Sequence, residues 1–210
     1  MKKLFIRALS VMLAVVLTLT AAPLSEFFGV DHNHNLLDTS IEAKAATKSE
    51  IQAELLRRLY NGAGGRITCD FDGYVSTPGR HEGIDCALGS GKTVYAIADG
   101  VVTYTGGSYG MVVIYNSTYN VTIIYMHTKG IKVSTGATVT TGQAIALESN
   151  TAPTSMGVHT HVELRTGRRT GAAKSTNDAT LDNPNPYPYY EQIFSGTIVH
   201  SPIGALDSAS

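Results

Sequence analysis

The sequence has no tryptophan, little charge and almost no imbalance between charges of opposite sign. Charged residues make up 16% of the 210, and the formal net charge is -1. A chain so close to neutral has no field with which to attract nucleic acid or a strongly acidic partner. No internal repeat and no charged tract can be found. Only two cysteines are present, Cys69 and Cys86. They lack the CxxC spacing of a metal-binding or redox pair. After the first 22 residues no apolar run is long enough to span a bilayer, which takes about 20 residues.

The one long apolar run is itself informative. "MKKLFIR" is a basic opening, and Ala8–Ala22 is an apolar stretch of 15 residues. That is short for a membrane span and right for a secretory signal. Residues 1–45 are therefore expected to be a signal peptide and leader, cut after Ala22 or near Ala45. The exported protein is expected in the extracytoplasmic space, secreted into the cell wall or periplasm, with no integral span left after cleavage. In an oxidising compartment an even cysteine count favours a bridge. A Cys69–Cys86 disulfide would close a loop worth roughly 3 kcal/mol; two buried free thiols are the alternative.

Gly, Thr and Tyr are plentiful, a mixture that suits a β-rich domain with many turns. Residues 47–60 are the helical exception. Ile51, Leu55, Leu56 and Leu59 repeat at helical spacing, Ser49 is a plausible N-cap, and Asn61-Gly62 follows as a stop. From Arg66 onward short β runs alternate with glycine. "TVYAIADGVVTY" reads as a hairpin around Asp99-Gly100, and "MVVIYN" and "VTIIYMH" as a second across "STYN". "IKVSTGATVTTGQAIAL" has the rhythm of tight turns between very short strands, and "HTHVELR" is one more strand. The Pro- and Tyr-rich "DNPNPYPYYEQ" is expected to pack as an extended segment.

Histidine carries the chemical signal. His32 and His34 lie in a polar leader, and His200 stands alone in the tail; all three read as solvated. His81, His127, His159 and His161 instead fall at the ends or edges of predicted strands. His81 and Asp85 form H-x-x-x-D. In a straight strand they would sit about 13 Å apart, but a bend at Gly83 could bring them together. His159 and His161 form H-x-H, and in a strand both face the same side. A catalytic zinc site takes three protein ligands and leaves its fourth position open, so this set is sufficient. One histidine of H-x-H would bind metal, and the other would stand nearby as a proton-transfer group. His127 would add a second such group. Glu163 shares their face and could orient an imidazole, although a solvated or strand-pairing role is the commoner one; Glu82 reads as exposed.

"HEGID", "IYMH" and "GVHTHVE" occur in the order and spacing of the lysostaphin/LytM-type zinc metallopeptidases, which cut peptidoglycan peptides. The resemblance runs from about Arg66 to Arg165 and includes "GKTVYAIADGVVTYTGG" and "VSTGATVTTGQAIA". It implies His81, Asp85 and His161 as ligands to one Zn²⁺. His127 and His159 become the catalytic groups that orient water and stabilise the oxyanion, without an order between them. The implied fold is mainly β, an antiparallel sheet or sandwich with a groove over the zinc, preceded by one short helix.

The resulting domain map has a helical segment at 46–63, the zinc metallopeptidase domain at 64–195 and a tail at 196–210. The expected function is a secreted, monomeric zinc endopeptidase acting on peptidoglycan peptides. Val158, Thr160 and Cys86 depart from the family's common residues without removing a ligand. Two rival readings differ from this one in the residues they require. A non-catalytic peptidoglycan-binding or activator module of the same fold would be expected to lose one of the five site positions. A biotinyl- or lipoyl-type carrier needs a lysine at its hairpin tip, and none stands between Val133 and Ile145.

Overall fold

A computed structural model describes residues 44–73, 81–154, 157–173 and 183–198. The basic and apolar N-terminal run, the Ala22 cleavage position, His32, His34 and His200 lie outside these residues. The chain from Ala45 onward is described by itself.

The first element is α1 (Lys48–Leu59). Its cap is Thr47, two residues earlier than the expected Ser49. Thr47 Oγ1 accepts the Glu50 N–H at 3.3 Å, and the Glu50 carboxylate accepts the Thr47 N–H at 2.7 Å. That reciprocal box satisfies two orphan donors, which Ser49 within the first turn cannot do. The helix stops as expected. Asn61 and Gly62 take positive φ (49° and 77°), and the Gly62 N–H closes back on the Arg57 carbonyl at 2.8 Å. Ile51, Leu55 and Leu59 face inward and join the main apolar core.

Ten strands follow: β1 (Arg66–Cys69), β2 (Gly83–Ala87), β3 (Thr93–Tyr95), β4 (Gly100–Gly106), β5 (Met111–Asn116), β6 (Val121–Met126), β7 (Thr128–Lys129), β8 (Thr138–Val139), β9 (Ala144–Glu148) and β10 (Thr160–Thr166). Seven of them form one sheet in the order β1-β2-β10-β6-β5-β4-β8; the other three form a second, β3-β9-β7. Every pairing is antiparallel. The mainly β, antiparallel class expected from the sequence is therefore the observed one. The expected β5–β6 hairpin is present, with Asn116 opposite Val121.

Three expectations are corrected. The stretch around Asp99-Gly100 is not a hairpin, because β3 and β4 belong to different sheets. Ala96, Ile97 and Ala98 between them are buried, so burial carries the chain across the core where a two-residue turn would have kept it at the surface. Asp99 instead accepts the Thr141 N–H at 2.6 Å and the Thr141 hydroxyl at 2.8 Å. The Pro-Tyr segment, expected to be extended, forms α2 (Tyr187–Ile193). Its prolines occupy the cap and the first turn, where a missing N–H breaks no helical bond.

The third correction concerns the cysteines, which are both free. Cys69 pairs with Asp85 across β1–β2, whereas the neighbour of Asp85, Cys86, pairs with Ile67. Side chains alternate along a strand, so the two thiols lie on opposite faces of the sheet and cannot bridge.

That alternation gives the central strands two distinct faces. Ile84, Val162, Tyr125 and Val112 form a hydrogen-bonded row across β2, β10, β6 and β5, and all four are fully buried in the core. One residue along, the opposite face carries the row Cys69, Asp85, His161 and Met126 across β1, β2, β10 and β6. The apolar face holds the sheet in place, and the polar face is where the chemistry gathers. Among the described residues, no helix is long and apolar enough to cross a membrane.

Candidate metal centre

Asp85 lies mid-strand in β2 with His161 directly opposite it in β10. His81 precedes β2 and reaches the same point. His81 Nε2 lies 3.1 Å from Asp85 Oδ1 and 3.1 Å from His161 Nδ1, while His161 Nδ1 lies 2.9 Å from Asp85 Oδ1. Three donor atoms thus form a nearly equilateral triangle. All three side chains are buried.

The expected bend at Gly83 is not what brings them together. Gly83 is a regular strand residue without positive φ. What matters is its missing side chain: a Cβ there would stand 2.5 Å from the Val162 carbonyl and 2.7 Å from His161 Nε2. Glycine leaves room for the His161 ring.

Hydrogen bonds fix how each ring is presented. His81 Nδ1 lies 2.6 Å from the Asp70 carbonyl, His127 Nδ1 lies 3.0 Å from that of Thr151, and His159 Nδ1 lies 2.8 Å from that of Gly157. A carbonyl only accepts, so in each case Nδ1 carries the proton and a neutral ring offers an unprotonated Nε2. His161 is turned the other way. Its Nδ1 faces Asp85 and His81, and its Nε2 lies 3.9 Å from Glu163 Oε2. Glu163 is 1% exposed, not solvated, and its other oxygen accepts the Ala173 N–H at 2.7 Å. It is placed to hold the His161 ring.

His127 closes β6 with φ 62°, a conformation unusual outside glycine. Its N–H donates to the Tyr109 carbonyl at 2.7 Å, and the Thr128 hydroxyl donates to the Gly110 carbonyl at 2.6 Å. Gly110 itself has φ 56°, and any Cβ would strike the Thr128 carbonyl. This suture sets the His127 ring 4.6 Å from that of His159, with the half-exposed Tyr109 ring against its edge at 5.9 Å. His159 Nε2 in turn stands 3.6 Å from Asp85 Oδ1. The structure therefore brings together all five residues singled out in the sequence.

The electrostatics reflect the crowding. Burial alone would favour a neutral Asp85, but the His161 and His81 rings against it hold its carboxyl well below the usual range. Burial opposes charge on His161 too, yet the hydrogen bond to Asp85 and the nearby Glu163 carboxylate raise it to about 9. His127 is pushed down to about 4, chiefly by burial. With His161 neutral, two imidazoles and a carboxylate would turn three lone pairs toward one point, which is the arrangement a cation between them requires.

Zinc fits this donor set. Metal–ligand distances of about 2.0–2.1 Å in a tetrahedron imply edges of about 3.3–3.4 Å between N and O donors, close to the edges observed. Two imidazoles and one carboxylate are also a recognised catalytic zinc ligation.

Sequence reasoning missed one neighbour. Cys69 Sγ, a His81 ring nitrogen and an Asp85 carboxylate oxygen all lie within 4.8 Å of one another. Nothing in the sequence signals it, because the approach depends on a register shift in β1 between Ile67 and Cys69.

Known proteins resemble this chain in sequence and in fold. Residues 79–175 match the family model described as peptidase family M23. The chain is 36% identical over 92 residues to an uncharacterized metalloprotease of Haemophilus influenzae, a match covering 42% of this chain and 19% of that protein. The chain thus spans about a fifth of the length of that curated relative. The catalytic domain of lysostaphin from Staphylococcus simulans, an antimicrobial peptidase, superposes with TM-score 0.52 at 21% identity, over 66% of this chain and 97% of that one. Full-length lysostaphin gives the same TM-score at 19% identity, over 69% of this chain and 58% of that one. The likeness to lysostaphin is one of fold.

Proposed function

Residues 79–175 match peptidase family M23, and from that match we propose that the chain is a zinc-dependent endopeptidase that hydrolyses peptide bonds in bacterial cell-wall peptidoglycan. One observation carries the reading. His81 Nε2, Asp85 Oδ1 and His161 Nδ1 converge within 3.1 Å, with His159 Nε2 beside them and the His127 ring next to that of His159. His81, Asp85 and His161 are the residues that would hold the metal. When bound, zinc supplies Lewis acidity toward a peptide carbonyl and lowers the pKa of a water ligand.

The chain's own residues divide the remaining work. Asp85 brings the negative charge of the ligand set, and His81 is kept in the ligating tautomer by the Asp70 carbonyl. His159 and His127 each present an unprotonated Nε2, so both begin as proton acceptors. The low pKa of His127 keeps it neutral at physiological pH. Once protonated, either ring is a cation placed to offset negative charge on the oxygen of a tetrahedral intermediate. Tyr109, exposed beside His127, offers an aromatic face to an extended peptide. The basic and apolar N-terminus supports an extracytoplasmic setting, where such a substrate is found.

Peptide release from purified peptidoglycan tests this reading. His127→Ala and His159→Ala are each expected to retain zinc and lose roughly 100-fold or more in turnover. Near-normal release by His127→Ala would remove that residue from the mechanism. No release by the zinc-loaded unmodified chain from walls of any cross-link type would favour a non-catalytic module of the same fold.

A further inference from the structure

Cys69 has no disulfide partner and stands beside the ligand set. It is paired with Asp85 on the polar face of the sheet, and its Sγ shares a 4.8 Å cluster with donor atoms of His81 and Asp85. Among the described residues its thiol donates one hydrogen bond, to the Asp70 carbonyl 3.8 Å away, a weak contact. A second observation points to the same spot. His159 Nε2 is buried, lies 3.6 Å from Asp85 Oδ1, and has no hydrogen-bond partner among the described residues. A thiol, an imidazole nitrogen and a carboxylate oxygen therefore lie within 4.8 Å of one another, and a further imidazole nitrogen without a partner stands 3.6 Å from that carboxylate.

We propose that Cys69 supplies a fourth, thiolate ligand to the metal held by His81, Asp85 and His161, and that this thiolate-latched arrangement is a closed resting form of the centre. The inference rests on the zinc reading above. A tetrahedral zinc site with one thiolate has sulfur-to-nitrogen or sulfur-to-oxygen edges of about 3.5 Å. From a cluster 4.8 Å across, the sulfur reaches such edges by moving inward through a side-chain rotation. As the sulfur–metal bond forms, the S–H bond breaks and its proton passes to solvent. Four protein ligands make the closed set of a structural zinc site, whereas three leave a position for substrate or water. Opening the centre then means breaking the sulfur–metal bond, with water taking the vacated position and the sulfur recovering a proton from solvent. Cys86, fully buried on the opposite face, takes no part.

The test uses the full chain loaded with Co²⁺ in place of zinc. One bound cobalt is expected to show an intense near-ultraviolet sulfur-to-cobalt charge-transfer band, lost in Cys69→Ser while cobalt's visible bands persist. A second measurement needs no variant: bound zinc is expected to suppress alkylation of Cys69 by iodoacetamide, read by peptide mass spectrometry with buried Cys86 as the unreactive reference. One cobalt per chain without a sulfur band, or Cys69 alkylated equally with and without zinc, overturns the latch and leaves the His–Asp–His metal reading standing. Failure of the unmodified chain to bind any cobalt overturns both.

Discussion

At the scale of single residues, the centre depends as much on a side chain that is missing as on those that are present. Gly83 has no Cβ to meet the Val162 carbonyl or the His161 ring. Gly83→Ala is expected to displace that ring or open the β2–β10 ladder, at about 1–3 kcal/mol of stability and with weakened zinc binding. Urea denaturation and zinc titration check it; a variant unchanged in both would show that the His161 ring is not confined by its neighbour. The residues of the candidate site were legible because each is a chemically marked type at a marked spacing. His81 and Asp85 sit at i and i+4, His159 and His161 at i and i+2, and His127 follows an apolar strand. The role of Gly83 was misread, since a glycine's use as empty space depends on what packs against it. Cys69 was read as a bridging thiol or a buried free one and not as a neighbour of the ligand set, because its approach to Asp85 follows from a cross-strand register that no local pattern encodes.

Among the elements, α1 and α2 are joined by a buried charge network. Glu54 is almost wholly buried and accepts two bonds from Arg57, at 2.6 Å each, one from Arg58 at 2.8 Å and one from the Thr197 hydroxyl at 2.7 Å. Arg58 also donates to the Ile97 carbonyl at 2.9 Å and lies over the Phe194 ring. The network thus ties α1 to the chain just beyond α2 and to the crossing before β4. Burial works against the charged form of Glu54, but its hydrogen bonds to Arg57, Arg58 and Thr197 lower the pKa from 4.5 to about 2. A carboxylate depressed in the folded state stabilises fully above its unfolded pKa, and the contribution fades as pH falls toward the folded value. The stability advantage of the unmodified chain over Glu54→Gln is therefore expected to be constant above about pH 5 and to shrink between about 4.5 and 2. Denaturation midpoints across that range measure it, and an advantage that grew on acidification would contradict the assignment. The same elements show why local patterns fall short. The helical spacing of α1 and the β5–β6 hairpin are local and were read correctly. The Asp99-Gly100 turn signal was genuine in type, but burial of Ala96–Ala98 sent the flanking strands to different sheets.

For the whole molecule, the polar row Cys69, Asp85, His161 and Met126 is assembled from four strands drawn from distant parts of the sequence. Composition and periodicity indicated a β-rich chain and the family resemblance an antiparallel one, but the order β1-β2-β10-β6 had no local signature. It is that order, with an apolar row one residue away on the opposite face, that turns scattered histidines into a centre. The central claim is that His81, Asp85 and His161 hold one zinc, with His127 and His159 beside it. Zinc stoichiometry by mass spectrometry of the purified chain and its five single alanine variants tests this most directly. The expected result is one zinc in the unmodified chain, in His127→Ala and in His159→Ala, and its loss in His81→Ala, Asp85→Ala and His161→Ala. Full zinc in Asp85→Ala, or zinc lost in His159→Ala and kept in His161→Ala, would contradict the assignment.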